Sequence, residues 1–262
     1  REQGFERVLL LLGYLPHVIK DYFGDGSSFG IEIDYSITDV EDETGRRIKL
    51  AEHKLDPCFF LLYCDNYWPM SINRMWEQFL KSGTAAQITV YNNKDKYTKD
   101  NVAIDKNGFV SCYDKSRSLH NLQGVDIGFV FMKKSILSLL PDENVNFEKV
   151  IYPMLVEKHQ LSAYITDHRY YSVGSHERLG LTESFLQRRP AVILDRDGVL
   201  NQRPSKGEYV RNRREFVWLP GAIEAICLLK SAGYIIIVVT NLIYYKNPYT
   251  SISCRRWSRY GS

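Results

Sequence analysis

Short apolar runs alternate with amphipathic stretches along most of the chain. Residues 6–14 form an apolar run that reads as a strand and turn. Pro16 suits a first helical position, residues 17–23 make two turns, and Gly24-Asp25-Gly26 stops them. Residues 31–37 alternate apolar and polar side chains as a strand does, and residues 58–63 form an apolar strand that ends at Asp65-Asn66. Ser71 can cap a helix over 72–82 with Gly83 as its stop, and 85–91 returns as a strand. Asn107-Gly108 sits between two apolar runs as in a hairpin. A strand over 125–132, a helix over 147–158 and a short strand over 162–165 follow. The amphipathic stretch 177–188 has Leu179, Leu181, Phe185 and Leu186 available to face the body.

Arg188-Arg189-Pro190 then leads without a flexible spacer into a second module. Residues 191–195 read as a strand covered on both faces. Leu219-Pro220-Gly221-Ala222 opens a helix that runs to about Ala232, and residues 234–239 form a β-branched strand ending in Thr240-Asn241. A right-handed βαβ unit of this kind puts Thr240 on the same sheet edge as Asp195. The pattern is that of an α/β protein. It opens in mid-fold, which implies residues ahead of Arg1. Beyond Asn241 neither helical nor strand periodicity persists, so 242–262 reads as a truncated or frame-shifted end, with a disordered basic tail as the alternative.

Composition changes little in this picture. The 262 residues have ordinary apolar and charged fractions, and no apolar run reaches the roughly 20 residues that a spanning helix needs. With no signal peptide at the start, the expected location is the cytoplasm. Five scattered cysteines without a Cys-x-x-Cys pair suggest neither a disulfide framework nor a zinc site. The net charge of +3 rests on Lys246, Arg255, Arg256 and Arg259. Without them the balance is −1, so the body carries no nucleic-acid footprint and no membrane anchor.

The chemistry concentrates at strand ends. Asp195 and Asp197 stand one residue apart after an apolar strand, before a turn at Gly198. Open α/β sheets bind ligands at this edge, and paired carboxylates there can hold Mg²⁺ while one attacks phosphorus. A polar turn is the alternative, since Asp and Gly are ordinary turn formers. The basic loop that follows, with Arg203, Lys206, Arg211, Arg213 and Arg214, is either a solvated surface or a device that captures a phosphorylated substrate over the acid pair.

The run Asp195-Arg196-Asp197-Gly198-Val199-Leu200-Asn201 after its strand resembles motif I of the haloacid dehalogenase (HAD) superfamily, in its histidinol-phosphate and heptose-bisphosphate phosphatase branch. That resemblance implies Asp195 as the nucleophile that becomes an aspartyl phosphate and Asp197 as the general acid and base. It also implies Mg²⁺ on the Asp195 carboxylate and the Asp197 main-chain carbonyl. Thr240, in Val238-Val239-Thr240-Asn241, matches motif II, whose hydroxyl binds the transferring phosphoryl group, with Asn241 beside it as a substrate-binding residue. The motif III Lys and the later acidic metal site have no counterpart before the chain ends, which implies a weak or inactive phosphatase.

The first roughly 185 residues resemble the sugar-1-phosphate nucleotidyltransferases. The resemblance rests on Leu12-Gly13-Tyr14, Tyr22-Phe23-Gly24-Asp25-Gly26, the strand ending at Asp65 and the turn Tyr171-Ser172-Val173-Gly174-Ser175. It implies that Asp65 holds the Mg²⁺ that bridges nucleoside triphosphate and sugar phosphate. Glu43-Thr44-Gly45 falls where the family has a Gly loop near base or sugar, with a bare turn as the alternative. Asp114-Lys115 resembles the acidic-Lys pair, the acid binding sugar hydroxyls and Lys115 neutralising the sugar phosphate; an exposed ion pair is the alternative. Gly128 matches a Gly that lets a sugar approach the backbone. The family's amino-terminal Gly-rich loop is absent, and Ser172 replaces its second metal-binding Asp, for which Asp167 is the nearby substitute.

The fold expected from both resemblances is α/β: a Rossmann-like mixed sheet of nucleotidyltransferase type over 1–188, a partial HAD-like Rossmannoid βαβ unit over 189–241, and the aberrant tail. The expected activity is nucleotidyl transfer from a nucleoside triphosphate to a sugar 1-phosphate, joined to Mg²⁺-dependent sugar phosphate hydrolysis. A heptose bisphosphate that loses one phosphate and is then activated with GTP fits that scheme. A sugar-nucleotide-binding scaffold that kept both folds without their chemistry is the alternative.

Overall fold

The computed structural model describes residues 3–205, 208–210 and 212–240. Asn241, Lys206, Arg211 and the 242–262 tail lie outside the described residues. The chain divides into two compact units, Arg1–Phe185 and Leu186–Ser262.

In the first unit β1 (Arg7–Leu12) pairs in parallel with β2 (Glu32–Ile37) across α1 (Pro16–Phe23), with Pro16 opening the helix. A short helix, α2 (Thr44–Leu50), occupies the place where the sequence suggested a Gly loop or a bare turn. Seven residues span only two turns, too few for an apolar period to emerge, and the helix is fixed by burying Gly45 and Ile48.

β3 (Cys58–Leu62), β4 (Asn66–Tyr67), α3 (Ile72–Ser82), β5 (Ala86–Tyr91), β6 (Val102–Ile104), β7 (Val110–Tyr113), β8 (Val125–Lys133), α4 (Phe147–Glu157), β9 (Leu161–Thr166), β10 (Tyr171–Ser172) and α5 (His176–Leu186) complete the unit. The central sheet has the order β3-β8-β5-β9, with β8 antiparallel to both neighbours and β5 parallel to β9. Alternation along β8 splits the core between the two faces. Val130 and Met132 pack with Phe147, Ile151 and Leu155 of α4, whereas Phe129 and Phe131 pack with Ile72, Met75 and Phe79 of α3. Each such side chain, fully buried, contributes about 1.5–3 kcal/mol of transfer free energy. β5, covered on both sides, is buried at every position.

Two local expectations need revision, and the expected hairpin forms with a wider loop. Ser71 precedes α3 but its side chain makes no capping bond; the Ile72 amide donates to Gln3 Oε1 instead, at 3.3 Å. The β6–β7 hairpin is wider than a two-residue turn. Asp105 Oδ1 accepts from the Asn107 and Phe109 amides, and the register shifts by a bulge between Ala103 and Ile104. On α5, Leu179, Leu181 and Leu186 are exposed and Thr182 is the buried residue. That helix is anchored by Thr182 Oγ1 donating to the Ser172 carbonyl and by Phe185 stacked on Tyr171.

In the second unit β11 (Ala191–Asp195) and β12 (Ile235–Val239) form a parallel pair around α6 (Ala222–Ser231), in register from Ala191↔Ile235 to Asp195↔Val239. The expectation of a strand covered on both faces is not met among the described residues, where Ile193 is 68% exposed and Val239 54%. Among the described residues, two strands and one helix leave much of the sheet without a partner layer.

Candidate active sites

β3 ends in a turn that delivers Tyr63, Cys64 and Asp65 to the sheet edge. Asp65 is exposed, and its carbonyl accepts the Val173 amide at 2.9 Å. The β4–β10 pair places Ser172 opposite Asn66. Gly174 lies over this corner: a Cβ there would stand 3.3 Å from Ser172 Oγ and 3.6 Å from Asp65 Oδ2. Ser172 thus shares the Asp65 corner. Asp167 is turned to other partners, receiving Asn92 Nδ2 and pairing with Lys94 at 3.4 Å. Among the described residues no three His, Cys, Asp or Glu side chains form a metal-holding group. An exposed carboxylate with a hydroxyl beside it is nonetheless a donor set suited to Mg²⁺, which takes one or two protein carboxylates and completes its shell from phosphates and water.

Behind Asp65 the floor is built from β7, β8 and α4. Gly128 has φ +78°, and a Cβ there would meet Tyr63 Cδ2 at 2.7 Å, so the absent side chain makes room for that ring. Asp126 Oδ1 accepts the Gly128 amide at 3.0 Å. The Tyr113 hydroxyl stands 3.2 Å from Asp126 Oδ2 and 3.3 Å from Glu148 Oε2. Lys115 Nζ donates to that same Glu148 oxygen. Burial holds the Lys115 ammonium below its usual range, and burial raises the Asp126 carboxyl. Tyr63 and Tyr152 are pushed up for the same reason. Their phenolic oxygens are buried without a hydrogen-bond partner. Donors of that kind are costly to leave unmade.

The sequence reading of the pair Asp114-Lys115 divides here. Asp114 accepts from the amides of Ser116, Ser118 and Leu119 and from both serine hydroxyls, which fills its lone pairs. These bonds, led by that from Ser116, hold its carboxyl well below the usual range. It organises a loop, and the acids that face Lys115 are Asp126 and Glu148. Their signal was weak, because Asp126 lies within an apolar strand and Glu148 in a helix first turn. Gly45 is likewise placed by packing: its amide donates to the Val145 carbonyl, and a Cβ would stand 2.6 Å from that oxygen.

In the second unit the Arg196 amide donates to the Val239 carbonyl, which brings Thr240 to the edge beside Asp195. Asp195 is exposed, and its Oδ1 accepts the Arg196 amide at 2.7 Å. Asp197 is gripped by the Arg196 guanidinium, which lowers its carboxyl from the usual range. Gly198, at φ +89°, closes the turn with its amide on the Asn201 carbonyl. Thr240 Oγ1 and the fully buried Asn201 Oδ1 have no hydrogen-bond partner. Exposed Asp195 and the orphaned Thr240 hydroxyl are oxygen groups that fit a hard cation and a phosphoryl group.

The chain joins a mixed α/β sheet of nucleotidyltransferase fold to a parallel βαβ unit whose first strand ends in Asp195. Among solved structures it is similar to HddC from Yersinia pseudotuberculosis, with a TM-score of 0.61 and 22% identity, covering 71% of this chain and 81% of that one. The same protein complexed with GMP-PN aligns at a TM-score of 0.58 and 23% identity, over 70% of this chain and 80% of that one. The inositol-1-phosphate CTP transferase of T. maritima aligns at 0.55 and 17%, over 69% of this chain and 76% of that one. These likenesses establish the fold.

By sequence, the D-glycero-alpha-D-manno-heptose-1,7-bisphosphate 7-phosphatase of Mycobacterium tuberculosis is 54% identical over 50 residues, which are 19% of this chain and 26% of that protein. The D-glycero-beta-D-manno-heptose-1,7-bisphosphate 7-phosphatase of Rhodopseudomonas palustris is 46% identical over 54 residues, 21% of this chain and 28% of that protein. The chain thus spans about a quarter of the length of these phosphatases. It belongs to one family with the uncharacterized protein MJ0015 of Methanocaldococcus jannaschii, 44% identical over 71 residues, 25% of this chain and 71% of that protein. No family model matches. Among the described residues no helix is long and apolar enough to cross a membrane.

Proposed function

We propose that the chain carries two sugar-phosphate chemistries, nucleotidyl transfer in the first unit and phosphate hydrolysis in the second. The observation that carries the first is the cluster of Lys115 with Asp126, Glu148 and the orphaned phenols of Tyr63 and Tyr152, set behind the exposed Asp65. In this reading Lys115 holds the phosphate of a sugar 1-phosphate, and Glu148 holds Lys115 in place beside the Asp65 corner. A sugar-phosphate oxygen attacks the α-phosphorus of a nucleoside triphosphate, the bond to the β-phosphate breaks, and pyrophosphate leaves. Asp65, with Ser172 beside it, would hold Mg²⁺, which supplies charge neutralisation between the two anionic reactants.

In the second unit the Asp195 carboxylate attacks phosphorus and becomes an aspartyl phosphate. Asp197 gives a proton to the leaving sugar oxygen and later takes one from water. The Thr240 hydroxyl donates to a phosphoryl oxygen, and Asp195 with the Asp197 carbonyl would hold Mg²⁺. The phosphatase relatives favour a heptose bisphosphate as the substrate hydrolysed, and the GMP-PN complex of HddC favours a guanine nucleotide as the donor. The two reactions then run in sequence, with the phosphate removed before activation at carbon 1. The reading is of a cytoplasmic, bifunctional enzyme of nucleotide-sugar formation.

Calorimetric titration with a sugar 1-phosphate tests the first site. Binding that disappears in Lys115→Met, with an unchanged circular dichroism spectrum, supports the assignment. Binding that survives the substitution removes Lys115 from it.

A further inference from the structure

Tyr113 poses a counting problem. Its hydroxyl has one hydrogen, yet it lies within hydrogen-bond distance of two carboxyl groups, Asp126 at 3.2 Å and Glu148 at 3.3 Å. Ionised carboxylates only accept, so two of them around one phenol leave a contact unmade unless one carboxyl carries a proton. Glu148 is the ionised member. It receives Lys115 and sits in the first turn of α4, where the helix dipole favours negative charge. Asp126 is then the protonated member, donating to Tyr113 Oη, which donates on to Glu148. At rest the group is neutral in sum: Asp126 uncharged, Glu148 negative, Lys115 positive.

Exposure differs sharply within the ion pair, 42% for the Lys115 side chain and 5% for that of Glu148. Lys115 can therefore swing toward an arriving anion, whereas Glu148 cannot follow it out. The other groups near this cluster do not replace the lost ammonium. Tyr63, Tyr113 and Tyr152 are phenols held neutral by burial, and neither the Asp126 nor the Asp65 carboxyl can supply a positive charge. Arg117 is committed to Thr98 and the Lys99 carbonyl, and Lys149 projects from a more exposed position on α4. A buried carboxylate stripped of its partner neutralises itself by binding a proton.

We propose that an anion bound by Lys115 drives uptake of one proton by Glu148, so that sugar-phosphate binding at this site is proton-coupled. The Lys115–Glu148 bond breaks, Lys115 pairs with the anion, and a proton from solvent converts Glu148 to the neutral acid. Glu148 is thereby a positioning residue that holds Lys115 at rest and releases it at no charge cost to the protein interior. The inference rests on the reading of Lys115 as the phosphate-binding cation.

The test is calorimetric titration of the whole chain at pH 8.0 with glucose 1-phosphate and, separately, with sulfate, in buffers of different ionisation enthalpy. At this pH both probes are fully ionised, since a phosphate monoester has its second pKa near ~6. The expected result is about one proton taken up per anion bound in the parent and close to none in Glu148→Gln, which still binds. Asp126→Asn, which replaces a group already neutral, retains the uptake. Lys115-dependent binding without proton uptake overturns the coupling and leaves the sugar-phosphate reading standing. Uptake that persists in Glu148→Gln, or vanishes in Asp126→Asn, overturns the assignment to Glu148. Failure of both anions to bind overturns coupling and reading together.

Discussion

Arg196 grips Asp197 through two parallel hydrogen bonds, Nε to Oδ1 at 2.9 Å and Nη2 to Oδ2 at 2.6 Å. A bidentate guanidinium favours the ionised carboxylate, and the side chains are only 14% and 21% exposed, so solvent screens the pair weakly. In the proposed phosphatase reading, the acid that hands a proton to the leaving group is thus held in its basic form until Arg196 lets go. Replacing Arg196 with Met is expected to raise the Asp197 pKa toward its ordinary value of 3.8, read by carbon NMR of the carboxyl group. Because the native value is the lower one, the stability Asp197 contributes is present above the ordinary value and fades as pH falls through the native value. The parent should therefore lose more stability on acidification than Arg196→Met. An unchanged Asp197 titration in the variant would show that Arg196 does not set it.

Asp114 is expected to behave as a loop anchor. Asp114→Asn keeps the size of the side chain and removes its charge, so the amides of Ser118 and Leu119 lose strong acceptors. Their hydrogen exchange should accelerate by about an order of magnitude, with little change in β8. Since the Asp114 carboxyl is held low, its contribution is complete above the ordinary 3.8 and lost as pH falls through the native value. The difference between parent and variant should narrow in acid. Sugar-phosphate binding that fails while the loop amides stay protected would return Asp114 to the ligand.

The two glycines of the first site should respond differently. At Gly128 an alanine meets both a positive φ and the Tyr63 ring, a flexible side chain, and is expected to cost about 1–3 kcal/mol and to move Tyr63. At Gly45 the obstacle is the Val145 carbonyl itself, 2.6 Å from the added carbon. Backbone there must shift, so Gly45→Ala should be the more destabilising of the two in thermal melts, although its φ is ordinary. The reverse order would show that α2 can move away from the segment before α4.

These contrasts also mark what could be read from the chain. Long apolar runs declared themselves: the strands at 58–62 and 125–133 and the helix at 72–82 came from periodicity and from Gly83 as a stop. α2 did not, because seven residues carry no period. Asp65 and Asp195 were legible because an acid directly after an apolar strand points to a sheet edge. Asp126 and Glu148 were not, since their meeting at Tyr113 joins positions 13 and 35 residues from it through packing of α4 on the sheet. Ser172 was legible as a departure from a motif, but its place beside Asp65 depends on the two-residue pairing of β4 with β10, too short to be seen in sequence. The exposed faces of β11 and β12 contradict the buried pattern of their residues, because β-branched composition reports a strand and not the layers that cover it.

The central claim is that Asp65 and Asp195 serve separate reactions, and a crosswise pair of substitutions tests it most directly. Pyrophosphate release from GTP with a heptose 1-phosphate and phosphate release from a heptose bisphosphate would be measured with Mg²⁺ for the parent, Asp65→Asn and Asp195→Asn, at protein concentrations high enough to read a weak phosphatase. The account expects Asp65→Asn to lower the first rate by a hundredfold or more and spare the second, and Asp195→Asn to abolish the second and spare the first. Loss of both activities in either variant, with the fold intact, would contradict it.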